Sequence, residues 1–309
     1  MSHGRLIVAA DGYAAFSTVQ AAVDAALPGA VIEIRPGVYR GHVSVPKEKL
    51  SLTFLGTDPR RTVLTDSVGA NSLKPDGGKV GTSDSASVSI FADGFRAEGL
   101  TFENAAFPRS VVGQAVALKV QGDRCAFRNC RFLSFQDTLY ATGDGRRQLF
   151  EDCEIQGDVD FVFGHAAAYF RRCKLVSRGA GFVTAHARTA TGGEGGYVFE
   201  SCLLTAAPGV ADGSVYLGRP WRPFARVLFL RCTLGPHLRP EGWDNWRDPK
   251  NEATAFFAEV ACDGVGADRS RRVAWARAPG AKELAALSEK NLLRGWKPRR
   301  TGKPVQCDR

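Results

Sequence analysis

Two aspartates stand at the same position in two successive repeats of one short motif. Asp137 follows Cys130 by seven residues, and Asp160 follows Cys153 by the same interval. If the repeats stack, the two carboxyl groups lie one strand spacing apart, ~4.8 Å. Two carboxylates at that distance cannot both ionise easily, so one pKa rises and the other falls. Such a pair offers an acid and a nucleophile or base at one pH, although a structural ladder of polar residues would have the same spacing.

The residues around the two aspartates favour the catalytic interpretation. Gln136 places a neutral amide donor beside Asp137, and Gln114 lies in an upstream segment that supplies a second one. The residues on both sides of Asp160 are largely apolar and aromatic, which limits the hydration of its carboxylate. Further along, Arg219 lies on a stiff Gly-Arg-Pro-Trp turn that brings a guanidinium and an indole together.

Three aromatic residues in these segments are candidates for stacking on the faces of sugar rings. They are Tyr140, Phe163 and Trp221. Phe163 could equally be an ordinary core residue. Trp221 lies between Arg219 and Arg222, and this setting favours an open cleft over a buried core.

The elements that position these residues are predicted from the cysteines. Five of the eight cysteines occupy one hexapeptide, found at Phe127–Phe132, Phe150–Ile155, Phe170–Leu175, Phe199–Leu204 and Phe229–Leu234. A cysteine-free version is expected at Phe102–Phe107. Repeats of roughly 20 to 30 residues, with short β runs and no helix between them, indicate a solenoid. Since the framework of a leucine-rich repeat is missing, we predict an all-β, right-handed, single-stranded parallel β-helix.

The cysteines are expected to form a column inside the coil. The hexapeptide predicts a turn at its polar pair, with Phe, Cys and the final apolar residue facing inward. Buried cysteine behaves mainly as a small hydrophobe, so free thiols are favoured over disulfides. No Cys-x-x-Cys pair occurs, which argues against a zinc ribbon.

Both ends of a solenoid need caps. Residues 16–27 form an apolar-faced helical pattern in which Ser17 or Thr18 can cap and Pro28 ends the helix. Residues 281–293 predict a C-terminal helix that packs on the coil. No linker divides the chain, so we expect one domain over residues 1–309, with a loose tail at 297–309.

The charge of the chain favours a polyanionic partner. Lys and Arg total 41 against 32 Asp and Glu, a formal net charge of +9. The basic residues are scattered and match no zinc-finger, helix-turn-helix or RNP pattern, so an acidic polysaccharide is favoured over nucleic acid. No apolar run is long enough to span a membrane, and the N-terminus shows no signal peptide. We therefore expect either a protein that stays inside the cell or one whose leader has been removed.

Taken in order, these segments resemble the pectin methylesterase (pectinesterase) family of carbohydrate esterases, which has a pectin-lyase-like β-helix. The resemblance runs through most of the chain and also includes Phe16–Val23, Pro36–Arg40, Asp93–Phe95, Leu100–Asn104 and Gly242–Trp243. It implies hydrolysis of the methyl esters of polygalacturonate to pectate and methanol through an aspartyl acyl-enzyme, with methylated homogalacturonan as the partner. It implies no metal or organic cofactor. We expect a monomer, secreted or periplasmic because of its substrate.

The resemblance also implies a role for each candidate residue. Asp160 would be the nucleophile, and Arg219 would keep it ionised and oriented through a bidentate contact. Asp137 would be the general acid and base. Gln114 and Gln136 would donate hydrogen bonds to the oxyanion.

The resemblance extends to the substrate contacts and has exceptions. Thr82 is similar to a substrate-contacting threonine of the family. His165 and His186 stand where Asn and Gln are usual, and we expect both at the surface near the cleft. These changes leave the nature of the ester open.

Three alternatives change the function but keep the β-helix. The first is an esterase or thioesterase that acts on a different ester, such as an acyl-CoA. The second is a non-catalytic polysaccharide-binding module, which would need a broken acid pair, whereas both aspartates, both glutamines and the arginine are intact here. The third is a chain-cleaving enzyme, but the motifs of polygalacturonases and the clustered carboxylates of a calcium-dependent lyase are absent from the sequence.

Overall fold

The computed structural model describes residues 4–190 and 194–298. In these residues 25 short strands, β1 to β25, form three sheets in which every pair of neighbours is parallel. Each coil contributes one strand to each sheet in turn, and the next coil adds its strand alongside. The predicted parallel β-helix is confirmed.

The sheets contain ten, seven and eight strands. The ten-stranded sheet consists of β1 Arg5–Val8, β2 Val31–Ile34, β5 Thr53–Leu55, β8 Arg96–Glu98, β11 Cys125–Arg128, β14 Arg147–Glu151, β17 Ala167–Arg171, β20 Gly196–Glu200, β23 Arg226–Leu230 and β25 Phe256–Val260. The seven-stranded sheet consists of β4 Val43–Val45, β7 Val88–Ile90, β10 Leu118–Val120, β13 Leu139–Ala141, β16 Val162–Gly164, β19 Gly181–His186 and β22 Val215–Pro220. The eight-stranded sheet consists of β3 Gly37–Arg40, β6 Thr62–Asp66, β9 Thr101–Asn104, β12 Arg131–Leu133, β15 Glu154–Gly157, β18 Lys174–Ser177, β21 Leu203–Ala206 and β24 Thr233–Leu234.

The hexapeptide forms the corner between the ten-stranded and the eight-stranded sheet. The residue before each cysteine adopts a left-handed backbone, with φ near +50° at Asn129, Asp152, Arg172, Ser201 and Arg231. This conformation is uncommon for residues other than glycine, and here it recurs once per coil. It turns the chain within two residues and directs Phe and Cys into the core, as predicted.

The core is built of aligned columns. Phe150 stacks on Phe127 at 5.0 Å and on Phe170 at 4.8 Å between ring centroids. From the second cysteine of the column onward, each thiol donates to the carbonyl oxygen of the phenylalanine one coil back, for example Cys173 to Phe150 at 3.4 Å. All cysteines in the described residues are free thiols. The column is therefore held by packing and weak hydrogen bonds.

Two details of the predicted repeat are wrong. Phe102 pairs with Phe132 in the eight-stranded sheet, so the cysteine-free motif is out of register, and Leu100 occupies the position of Cys130. A sixth cysteine, Cys262, continues the column by donating to the carbonyl oxygen of Phe229 at 3.5 Å. The hexapeptide does not include it because its coil carries a glutamate where the five hexapeptide coils have phenylalanine.

Helix α1, Val19–Ala25, covers the N-terminal end of the coil. The Thr18 hydroxyl accepts a hydrogen bond from the Ala21 N–H at 3.2 Å, so Thr18 is the cap. The helix is shorter than the predicted 16–27, because Phe16 forms a β-bridge with Val8 and the residue after the helix is extended. The buried residues of α1 pack against the first coils.

The other helices are short. They are α2 Arg109–Val112, α3 Lys250–Thr254, α4 Ala281–Ala286, α5 Glu289–Leu292 and two 3₁₀ turns at Ser83–Ser85 and Val265–Ala267. The single helix predicted over 281–293 is therefore divided into α4 and α5, because Ser288 caps a new helix by accepting from the Asn291 N–H. The apolar side chains of this segment pack on the outer face of the ten-stranded sheet.

The predicted loose tail at 297–309 lies outside the described residues from position 299 onward. Among the helices of the described residues, none is long and apolar enough to cross a membrane.

Candidate active site

Asp137 and Asp160 lie on neighbouring coils, just before strands β13 and β16. Leu139 pairs with Val162, so the two aspartates stand in register two residues earlier, and the Asp137 N–H donates to the Val159 carbonyl at 3.0 Å. Both aspartates adopt a left-handed backbone, with φ of 63° and 52°. Their exposed fractions are only 8% and 5%. Two carboxyl groups are thus held largely out of water on a rigid element.

Arg219, on β22, forms a bidentate ion pair with Asp160. Its Nε lies 2.9 Å from Oδ1 and its Nη2 lies 2.7 Å from Oδ2. The guanidinium is sandwiched between the rings of Phe182 and Trp246, with Cζ 3.9 Å and 3.8 Å from the ring centroids. Stacking on aromatic faces and a two-point contact fix the orientation of both groups.

The two aspartates differ in electrostatic environment. Burial, followed by the charge of Asp160, raises the pKa of Asp137 well above its ordinary value. Burial also raises the pKa of Asp160, but the hydrogen bonds and charge of Arg219 oppose this rise, so the expectation that one of the two pKa values falls is wrong. Asp160 therefore loses its proton first, and Asp137 keeps its own to higher pH.

All nine predicted site residues line one cavity of about 370 Å³. They are Thr82, Gln114, Gln136, Asp137, Tyr140, Asp160, Phe163, Arg219 and Trp221. The same cavity is lined by Ser83, Ala185 and Trp246, which the sequence analysis did not identify. The segments that carry these residues are far apart in the chain, and the coil brings them together.

The glutamines have anchored backbones and available side chains. The Gln114 carbonyl accepts from the Ala70 N–H at 2.7 Å, and the Gln136 carbonyl accepts from the Ala115 N–H at 3.1 Å. Both residues are half-buried, and within the described residues neither side-chain amide has a hydrogen-bond partner. Their amide N–H groups can therefore donate to a negative charge that develops in the cavity.

Aromatic rings form one side of the cavity. Tyr140 and Phe163 pair across β13 and β16 and stack with centroids 4.3 Å apart and planes 6° apart. Trp221 lies 6.0 Å from Phe163. Phe163 is only 3% exposed, so it mainly supports the more accessible rings of Tyr140 and Trp221.

Trp246 and Phe182 are the two contacts of Arg219 that the sequence analysis missed. Trp246 lies in a loop beyond Trp243, with a left-handed backbone at φ 59°. Phe182 lies near the start of β19, which pairs with β22 in the seven-stranded sheet. A search for aromatic residues near the Gly-Trp motif would have found Trp246, but Phe182 has no local signal that distinguishes it from a core residue.

The two unusual histidines do not both lie at the surface, so that expectation is wrong. His186 is completely buried, and its Nδ1 accepts from the Arg226 N–H at 3.1 Å. Burial lowers the pKa of His186 to about 3, so it is neutral near physiological pH. His165 is half-buried, with Nδ1 3.2 Å from the Thr142 hydroxyl, and burial lowers its pKa also.

Among residues 4–190 and 194–298, no group of three or more His, Cys, Asp or Glu side chains is arranged to hold a metal ion.

A paired acid on a rigid coil suits hydrolysis, and flat rings beside it suit a sugar chain. Fold and site together are typical of a hydrolase that acts on carbohydrates. The family model named Pectinesterase matches residues 5–295. The chain belongs to the pectinesterase family of carboxylic ester hydrolases, and the predicted family is confirmed.

The chain is similar to known pectinesterases in both sequence and structure. Pectinesterase 31 of Arabidopsis thaliana is 41% identical over 278 residues, which cover 87% of this chain and 86% of that protein. The pectin methylesterase from carrot superposes with a TM-score of 0.87 at 33% identity, covering 96% of this chain and 95% of its own. A pectin methylesterase solved in complex with a hexasaccharide superposes with a TM-score of 0.82 at 28% identity, covering 96% and 98%.

Proposed function

We propose that this protein hydrolyses the methyl esters of polygalacturonate to pectate and methanol, through an acyl-enzyme formed on Asp160. The observation that carries the proposal is the pairing of Asp160 with Arg219 next to Asp137, whose pKa is raised further. One carboxylate is thereby kept ionised as a nucleophile while its neighbour keeps a proton to donate.

The first half of the reaction forms the acyl-enzyme. An Asp160 carboxylate oxygen attacks the ester carbonyl carbon, and the carbonyl oxygen becomes an oxyanion. The amides of Gln114 and Gln136 donate to that oxyanion. When the tetrahedral intermediate collapses, the carbon–methoxy bond breaks, Asp137 gives its proton to the methoxy oxygen, and methanol leaves. The sugar carboxyl group is then joined to Asp160 as an anhydride.

The second half regenerates both carboxyl groups. Asp137, now a carboxylate, takes a proton from water while the water oxygen attacks the sugar acyl carbon. The bond to the Asp160 oxygen breaks, so Asp160 leaves as the carboxylate that Arg219 stabilises. Asp137 is protonated again, and the product is a free galacturonate carboxyl group. No group outside this chain and water is needed to balance the reaction.

The substrate class is inferred from the cavity and the charge. Tyr140 and Trp221 offer ring faces for stacking on pyranose rings, and the net charge of +9 favours a polyanionic chain. The relative solved with a hexasaccharide belongs to the same family. Because methylated homogalacturonan is a cell-wall polymer, we infer that the enzyme acts outside the cytoplasm, secreted or periplasmic.

A pH-stat assay on highly methylated pectin tests the proposal. Wild-type protein should release acid and methanol in equal amounts without shortening the polymer, and Asp160→Ala should release neither. Asp152→Ala is a matched control, because Asp152 has a similar left-handed backbone but lies at an exposed corner, paired with Arg172. Loss of polymer length would indicate a chain-cleaving enzyme. A well-folded wild type that ignores pectin but hydrolyses another ester would overturn the substrate assignment.

A further inference from the structure

The segment that carries Gln114 leaves the coil and then returns to it. It runs from the end of β9 at Asn104 to the start of β10 at Leu118 and includes α2. Residues 107–111 are all exposed, and no residue of α2 is buried. Burial of apolar side chains therefore does not fix α2, although the side chain of Gln114 lines the cavity a few residues later.

Contacts with neighbouring coils hold this segment instead. On one side, the Asn71 side-chain amide donates to the Val111 carbonyl at 3.1 Å, and the Asn71 N–H donates to the Val112 carbonyl at 3.0 Å. On the other side, the ring of Phe107 lies 6.0 Å from the ring of Phe135. The segment is thus attached to the coil on each side of its own.

An ion pair between Arg109 and Asp158 reaches one coil further. Arg109 is the first residue of α2, and its Nη1 donates to Oδ2 of Asp158, two residues before Asp160. Strands β10, β13 and β16 are successive neighbours in the seven-stranded sheet, and their coils carry Gln114, Asp137 and Asp160 in turn. The ion pair therefore joins the first of these coils to the third and spans the one between them.

Asp158 is a firmly held anchor for this contact. Its side chain is completely buried, and Oδ1 accepts from the Val159 N–H at 2.7 Å. Its backbone N–H donates to the Phe135 carbonyl at 2.9 Å, and its carbonyl accepts from the Phe182 N–H at 3.0 Å. Because a buried carboxylate without a cation is costly, Asp158 also favours the conformation of α2 that brings Arg109 to it.

We propose that Arg109 and Asp158 form a clamp that positions the segment of Gln114 beside the acid pair. This proposal rests on the proposed function and adds two positioning residues to it. Neither of them lines the cavity, so they act through Gln114 and not on the substrate. An oxyanion donor works best when it is already aimed before the reaction begins, so a looser α2 should lower kcat and leave substrate affinity unchanged.

The clamp also has an electrostatic signature. Burial is the largest cause of the raised pKa of Asp137, the charges of Asp160 and Asp158 raise this pKa further, and Arg219 opposes them. Arg109 offsets the charge of Asp158. Asp158→Asn should therefore move the basic limb of the kcat–pH profile, where Asp137 loses its proton, to lower pH, and Arg109→Met should move it to higher pH. A residue that only stabilised the fold would not produce these opposite shifts.

The first test measures methanol release from pectin. Arg109→Met should lower kcat about tenfold and leave KM within about twofold of wild type. Asp158→Asn keeps a neutral acceptor for Arg109 and should lower kcat only about threefold. Arg231→Met is a matched control that should leave kcat unchanged. The Arg231 side chain is 56% exposed against 54% for Arg109, and it also pairs with a carboxylate, that of Glu200, but at a corner of the other two sheets.

A double-mutant cycle shows whether the clamp acts through Gln114. Gln114→Ala alone should lower kcat about 100-fold, because an oxyanion donor is lost. In that background Arg109→Met should lower kcat less than about twofold further, because the donor that it positions is already gone. A full tenfold loss in both backgrounds would overturn the clamp.

Hydrogen exchange gives a readout that needs no catalysis. The amides of residues 111–113 are hydrogen-bonded within the segment, and they should exchange about tenfold faster in Arg109→Met but at the wild-type rate in Arg231→Met. Arg109→Lys should keep both slow exchange and most of kcat, because it keeps a cation. If Arg109→Met fails to fold, Asp158→Asn tests the same clamp through kcat and the shift of the basic limb. Wild-type kcat in the folded variants would overturn it.

The two proposals fail in different ways. If wild type releases no methanol from pectin but exchange at residues 111–113 depends on Arg109, the proposed function falls and the clamp stands. If wild type is active and folded Arg109→Met keeps the wild-type kcat, only the clamp falls.

Discussion

Two buried carboxylate sites lie on different faces of the β-helix and differ in charge balance. On the seven-stranded sheet, Asp137 and Asp160 share Arg219. On the outer face of the ten-stranded sheet, Glu151 is only 3% exposed and accepts hydrogen bonds from three arginines, Arg128, Arg171 and Arg172. The first site has two buried acids beside one cation, whereas the second has one buried acid beside three cations, two of which also pair with the more exposed Asp152 and Glu289.

The pKa shifts follow this balance. Burial alone would raise the pKa of Glu151, but hydrogen bonds from the three guanidinium groups outweigh it and lower the pKa to about 2. The pKa values of Asp137 and Asp160 are both raised. Arg171 also pairs with Glu289 at 2.6 Å, so the Glu151 cluster connects α5 to the ten-stranded sheet. A compensated buried acid stabilises the structure, whereas an under-compensated pair costs stability and provides reactivity.

The largest expected effect comes from removing the nucleophile. Asp160→Asn keeps the size of the side chain and its place beside Arg219 but cannot form the acyl-enzyme. We expect kcat for methanol release to fall about 10⁴-fold. Residual activity within tenfold of wild type, measured after purification away from other esterases, would contradict the role of Asp160.

Asp137→Asn should separate activity from stability. Methanol release should fall about 10³-fold, because the general acid and base is lost. The folded-state pKa of Asp137 is raised, so its contribution to stability is present below the unfolded-state pKa and is lost as pH rises through the folded-state value. Asn cannot ionise, so the variant should be more stable than wild type at neutral pH, by about 1 kcal/mol. Denaturant unfolding at acid and neutral pH measures this, and an advantage confined to acid pH would contradict it.

Glu151→Gln should show the reverse pattern. We expect a loss of about 2–3 kcal/mol of unfolding free energy at neutral pH, because three arginines lose their carboxylate. The folded-state pKa of Glu151 is lowered, so its contribution is present above the unfolded-state pKa and is lost as pH falls toward about 2. The difference between variant and wild type should therefore shrink on acidification, while kcat at neutral pH stays at the wild-type value. A large fall in kcat of the folded variant would show that the two sites are coupled.

The smallest expected effect on activity comes from Phe182, which holds Arg219 in the active site. Phe182 contacts the guanidinium of Arg219 but does not line the cavity, whereas Trp246 does both. Phe182→Leu should lower kcat about tenfold with little change in KM, since Arg219 would hold Asp160 less firmly. The acid limb of the kcat–pH profile should move to higher pH, because weaker pairing raises the pKa of Asp160 further. Phe182→Tyr should restore both properties, and a change in KM alone would contradict this positioning role.

Much of the coil could be predicted because a solenoid repeats its local chemistry. Five coils place Phe and Cys on the inner side of the same left-handed corner, so the hexapeptide is visible in the sequence. Asp137 and Asp160 could be aligned for the same reason, because one register carries both. The prediction failed where a coil departs from the motif, as at Cys262, whose coil has Glu259 in place of phenylalanine.

Features made by tertiary packing could not be predicted from periodicity. Trp246 reaches Arg219 from a loop, and nothing in the local sequence shows which way that loop folds. His186 is buried at the end of strand β19, where it pairs with β16 and β22 and its ring packs against Tyr197, although its residue type suggests the surface. The break between α4 and α5 depends on Ser288, which is compatible with a helix interior but caps a new helix here.

The paired carboxyl groups should hold opposite protonation states at one pH, and a ¹³C NMR titration of labelled aspartate carboxyl groups tests this most directly. Wild type should show two coupled steps, with Asp160 losing its proton first and Asp137 only at higher pH. In Asp137→Asn the later step should disappear while the Asp160 signal remains. Loss of the Asp137 proton before that of Asp160, or titration of both groups at the ordinary pKa of aspartate, would contradict the account.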